Sequence, residues 1–126
     1  KKNLNVAFIK STEKTVAKLS TIQKEKGKYL TKINGGSELV VSFDDYYKSQ
    51  VQEIFMEKEL RIMIEDVALI SVKTEYATEL QPGIFYRVSK SLYFYGINII
   101  QAIQLGTEIK VLVRREDLRD AFGAIS

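Results

Sequence analysis

The sequence predicts an α+β fold in which one β-α-β-β-α unit is written twice. Three observations predict it. The apolar period switches between two and three-to-four in the same order over residues 4–64 and 66–125. Gly27 and Gly96 punctuate the two halves 69 residues apart. At that offset Lys18-Leu19-Ser20 lies over Arg87-Val88-Ser89, and at an offset of 70 Ser37-Glu38-Leu39 lies over Thr107-Glu108-Ile109.

The elements follow in order. Leu4–Ile9 reads as a strand. Ser11 or Thr12 caps the next helix, although Thr15 puts no Glu at the capping-box position. Val16, Leu19 and Ile22 form its inner stripe, Lys24-Glu25-Lys26 continue its polar side, and Gly27 ends it. Tyr29, Thr31 and Ile33 alternate as a strand, Asn34-Gly35-Gly36 turns it, and Leu39–Phe43 returns. Asp44 or Asp45 opens a second helix with Tyr47, Val51, Ile54 and Phe55 on one face. Leu60, Ile62 and Ile64 alternate as a closing strand.

The second round starts at Asp66. Val67–Val72 is a strand and 74–81 a loop. Gly83–Tyr95 is a helix, with Pro82, the chain's one proline, at its threshold and Ile84, Val88 and Leu92 four apart. Its aromatics, Tyr86, Tyr93, Phe94 and Tyr95, lie on more than one face, which predicts burial against a second unit. Ile97–Ile103 reads as a buried strand, Ile109–Val113 as its return, and Glu116-Asp117 opens a last helix. The one-residue slip between the copies is expected in the second strand or its hairpin turn. No closing strand is evident before Ser126.

The order β-α-β-β-α-β is the ferredoxin-like arrangement, two tandem antiparallel sheets with helices on one face and the other face open. The units are placed at 1–65 and 66–126. Such small open sheets bury an edge against a neighbour.

Composition narrows the function. A length of 126 residues suits one domain or two very small ones. No apolar run approaches the ~20 residues that cross a bilayer, so no membrane role is expected. There is no secretory leader and the chain opens on Lys1, so a fused or missing N-terminal domain is expected. With no Cys and no His, disulfides, thiolate nucleophiles, imidazole bases and nearly all zinc chemistry are excluded, and a cytoplasmic location fits. Catalysis would need carboxylates, Lys or Tyr, and no pair of them is spaced like a site. No enzyme, cofactor or metal is therefore expected; Asp44-Asp45 reads as a helix cap. The excess of 19 basic over 16 acidic residues is too small for a nucleic-acid binder. Nine lysines among residues 1–32, against Glu13 and Glu25, read first as a solvated face and second as a patch for nucleic acid or an acidic partner.

Pro82-Gly83 at a helix start, Gly96-Ile97-Asn98-Ile99 after it, Thr107-Glu108-Ile109 and Glu116-Asp117 together resemble the ACT family of regulatory domains, in particular the tandem pair at the C-terminus of aspartokinases. The first round matches through Gly27, Ser37-Glu38-Leu39 and Asp44-Asp45, but has Ser11-Thr12-Glu13 where Pro-Gly would stand. The resemblance implies a non-catalytic, dimerising module that binds a small effector, an amino acid as a rule, where two units meet. It implies a pocket from Thr78, Glu79, Leu80, Gln81, Pro82, Gly83 and Ile84 with Asn98, Ile99 and Gln101. The residues support this independently. Glycine at a helix start lets N–H groups approach a carboxylate, and Asn98 both donates and accepts. Gln101, three residues on, would face the opposite side of a regular strand. Alternatives are a structural dimerisation module without ligand and the effector half of a transcription regulator, with nucleic acid bound only through another domain.

Overall fold

Period-two alternation builds the first strand, β1 (Leu4–Lys10): Leu4 and Val6 face one way, Ala7 and Ile9 the other, and all four are buried. The chain continues through α1 (Glu13–Ser20), β2 (Leu30–Asn34), β3 (Glu38–Asp44), a 3₁₀ turn (Asp45–Tyr47), α2 (Lys48–Ile54) and β4 (Leu60–Lys73). Then come α3 (Ile84–Phe94), β5 (Gln101–Gln104), β6 (Glu108–Arg114), a second 3₁₀ turn (Arg115–Asp117) and α4 (Leu118–Ile125). The computed structural model describes residues 3–73 and 83–126. Two units separate at Lys1–Asp66 and Val67–Ser126.

The first unit orders its strands β2-β3-β1-β4, the ferredoxin-like order. Ala7 pairs with Val41 and Ile9 with Leu39, and this face carries the core. Leu19, Ile22, Tyr47, Val51 and Phe55 pack onto it from the helical side. Tyr47 is fully buried, and its hydroxyl accepts the Glu25 N–H at 2.7 Å, tethering the segment after α1.

The second unit orders β4-β6-β5, with Ile70 against Val111 and Val72 against Ile109. Val88, Leu92, Ile97 and Ala121 complete its core. No closing strand follows among the described residues.

The opposite sheet face is not left open, whereas the ferredoxin-like arrangement with both helices on one face led us to expect an open one. Val6 and Ser42 in the first unit and Val67 and Leu112 in the second have 0% exposure.

Three element boundaries depart from the sequence pattern. The expected strands at 60–64 and 67–72 are one strand, β4, which passes Asp66 with φ 57 instead of turning there. α1 stops at Ser20, well before Gly27. The Ser20 hydroxyl donates to the Ala17 carbonyl (2.7 Å) and the Thr21 hydroxyl to Lys18 (2.6 Å), drawing off carbonyls that a longer helix would use. Gly27, with φ 79, instead sits in a turn closed by Lys28 N–H to Glu25 O.

The third concerns β5, which begins at Gln101, not Ile97. The hairpin turns match at an offset of 70: Gly35 N–H to Glu38 O in one, Leu105 N–H to Glu108 O in the other. The strand registers agree: Thr31 pairs with Ser42 and Gln101 with Leu112, 70 apart at both positions. The offset of 70 therefore already holds where the second strand starts, so the extra residue of the second round lies before that strand and not in the hairpin.

Candidate functional site

The start of α3 is built on Gly83. Its φ of 86 lies in the left-handed region, which costs a residue with a Cβ about 1–2 kcal/mol. A Cβ there would meet nothing within 4 Å, so the backbone, not space, demands glycine. The helical ladder opens with Arg87 N–H to Gly83 O at 2.9 Å. No side chain among the described residues caps this helix, and its first turn holds no acid. Its first-turn N–H groups and positive dipole end suit an anion.

The first unit handles the same place differently. The Thr12 hydroxyl accepts Thr15 N–H (3.1 Å) and the Thr15 hydroxyl accepts Thr12 N–H (2.8 Å). This is a capping box made with Thr at the position where Glu or Gln is usual. Thr15 is fully buried and also donates to the Lys10 carbonyl at 2.6 Å. The helix-start donors that no described side chain caps in α3 are here satisfied from within.

Of the expected pocket residues, Thr78, Glu79, Leu80, Gln81 and Pro82 lie outside the described residues. Gly83 is exposed at the helix start, while Ile84 and Ile99 both pack against the second unit's core. Asn98 is exposed in the irregular segment before β5, and Gln101 is the first residue of β5. Since 97–100 is not a regular strand, the alternation that set Asn98 and Gln101 on opposite faces does not operate there.

Among the described residues of the expected set, Ile84 alone lines a recess of about 320 Å³ in the second unit, with Val72, Arg87, Val88, Ser91 and Ile125. Arg87 and Ser91 were not anticipated. Their spacing of four on the α3 side beside Ile84 and Val88 is a signal that the apolar stripe masked.

Other features are structural. The Asp44 carboxylate accepts Tyr46 N–H (2.9 Å) and Tyr29 N–H (3.1 Å), and Asp45 accepts from the Asn5 side chain (2.9 Å), so both act as caps and ties. No group of three potential metal ligands occurs among the described residues, and no described helix is long and apolar enough to cross a membrane. Several lysines of the basic segment are engaged internally. Lys18 pairs with Glu59 at 2.7 Å, Lys24 and Lys32 donate to the Lys28 and Ile22 carbonyls, and Lys28 lies 5.0 Å from the Tyr46 ring centre.

No family model and no curated protein matches the chain. Solved structures do. The ligand-free regulatory subunit of aspartate kinase from Thermus thermophilus is similar at TM-score 0.75 and 17% identity, over 98% of this chain and 91% of that one. Clostridium acetobutylicum aspartate kinase is similar at 0.74 and 18%, over 99% of this chain and 32% of the kinase. E. coli aspartokinase III, solved with aspartate and ADP, is similar at 0.68 and 15%, over 99% and 31%. Against whole kinases the chain thus spans about a third of their length. Identity this low speaks for the fold alone: the chain has the α+β, ACT-type fold of aspartate kinase regulatory domains.

Proposed function

We propose that the chain is a non-catalytic regulatory module that binds a small effector, an amino acid, where ACT-type units of two copies meet, and that it dimerises there. The observation carrying this reading is the start of α3, where a left-handed Gly83 opens a helix that no described side chain caps. An effector carboxylate would complete its first turn, with Ile84 and Ile99 as apolar neighbours and Asn98 and Gln101 as polar ones. Thr78–Pro82 would form the rest of the pocket. The outer edges of β2 in the first unit and β5 in the second have no partner strand among the described residues, which suits pairing between copies. Regulation would be linkage: a ligand that prefers one arrangement of the interface shifts the population towards it and biases whatever is attached.

Calorimetry of the full chain against the twenty amino acids, with sedimentation at each, tests this. One or a few should bind and strengthen the dimer. A folded chain silent to all twenty would leave the second reading, a dimerisation module without ligand. The closed Thr12–Thr15 capping box of the first unit favours that reading for one of the two equivalent positions.

A further inference from the structure

The outer side of α3 is unusual for a free surface. Tyr93 and Phe94 are each 83% exposed, Tyr86 64% and Tyr95 62%, and Phe122 of α4 is 63% exposed. The sequence pattern predicted burial on several sides, yet only Val88 and Leu92 of this helix are buried. Scattered exposed apolar residues need no explanation; a cluster on one helix marks an interaction surface.

Charge decides what it fits. Spacings 86, 90, 93 and 87, 90, 94 put Arg87 and Lys90 among the rings on one side of α3. Lys90 Nζ lies 5.9 Å from the Tyr86 ring centre. Residues 84–95 contain no Asp or Glu, and neither Arg87 nor Lys90 forms an ion pair among the described residues. The exposed side of α3 itself is therefore aromatic and cationic, with no acid.

We propose that this face docks an acidic amphipathic segment of another protein, whose apolar side chains lie on Tyr86, Tyr93 and Phe94 and whose carboxylates meet Arg87 and Lys90. Aromatic residues and Arg are the side chains that anchor protein interfaces. Nucleic acid fits worse, because residues 67–126 hold seven basic and six acidic groups and two cations neutralise few phosphates. An anionic membrane fits worse too. The apolar stripe of α3 is committed to the core, and two cations add only about 2 kcal/mol at such a surface. A second copy docked through the same face about a two-fold axis would set Arg87 and Lys90 against their equivalents. The docking does not depend on effector binding.

Panning a random-peptide display library on the full chain tests it. Enriched peptides should combine Asp or Glu with Leu, Ile, Phe or Trp. Synthetic versions should bind in an anisotropy assay, more weakly as salt rises. Affinity should fall about tenfold or more in R87E/K90E and in Y93A/F94A, all exposed positions whose folding circular dichroism confirms. No enrichment, or binding indifferent to these changes, overturns the proposal. Co-sedimentation with phosphatidylserine vesicles that the same changes abolish would assign the face to a membrane instead. Self-association abolished by them would assign it to a second copy.

Discussion

Gly96 shows how much one residue decides. With φ 73 it follows α3, and the Gly96 and Ile97 N–H groups return to the Tyr93 and Leu92 carbonyls. That is a Schellman closure, with Ile97 and Leu92 in the same core. A Cβ at Gly96 would touch nothing within 4 Å, so Gly96→Ala should cost only the left-handed backbone term, about 1–2 kcal/mol in urea denaturation. A loss well above that would mean hidden crowding. Ser89 is the converse case. At the offset of 69 it matches Ser20, whose hydroxyl donates to a helix carbonyl, but the buried Ser89 hydroxyl has no partner among the described residues. Ser89→Ala removes an unsatisfied polar atom and favours the helix, so the melting temperature should hold or rise. A clear fall would reveal a partner for that hydroxyl. Gly96 was legible, since glycine after an apolar helical stripe has one common use; the fate of the Ser89 hydroxyl was not, since it depends on what packs around it.

Among the elements, the two crossover helices differ at both ends. Ile84, Val88 and Leu92, with glycines beyond both ends, made α3 readable. α1 departs from its expected stripe of Val16, Leu19 and Ile22: Val16 is 39% exposed, Thr15 takes the buried place beside Leu19, and Ile22 lies beyond the helix, which ends at Ser20. Its start rests on Thr12 and Thr15. Thr15→Val keeps the shape, loses the reciprocal cap and strands the Thr12 N–H. It should cost about 1–2 kcal/mol and speed amide exchange over 13–20, as hydrogen-exchange mass spectrometry would show. Unchanged protection would deny the cap its role. The start of α3 was legible in the sequence, and the segment after it was not. Gly83 and Ile84 stand at the start of α3 as the motif put them, but the segment 97–100 is irregular and β5 begins only at Gln101.

For the molecule as a whole, two ion pairs of the first unit set expectations for pH. The Lys18 ammonium, and then the Met56 N–H, hold the Glu59 carboxyl below the usual glutamate range, against a smaller opposing effect of burial. A lowered folded value means a contribution present above the ordinary pKa of about 4.3 and lost as pH falls through the depressed one. Hydrogen bonding to Glu65, with smaller attractions to Glu65 and Asp45, raises Lys48 despite partial desolvation. That contribution is present below about 10.4 and is lost as pH rises through the raised value. Melting temperature against pH should therefore drop at both ends, with Glu59→Gln flattening the acid limb and Lys48→Met the alkaline one; limbs unmoved by these changes would refute the assignment. By itself the sequence determined the local plan: element types, the repeat at 69–70 residues, the glycines that close turns, and the absence of His and Cys chemistry. These follow from side-chain period and backbone freedom, which act over a few residues. Only the tertiary structure decided that β4 runs unbroken past Asp66, that both sheet faces are buried at Val6 and Leu112, and that the α3 aromatics face solvent. Each of those depends on which surfaces meet across long separations of chain, and a pattern of apolar residues says that a face is to be covered without saying by what.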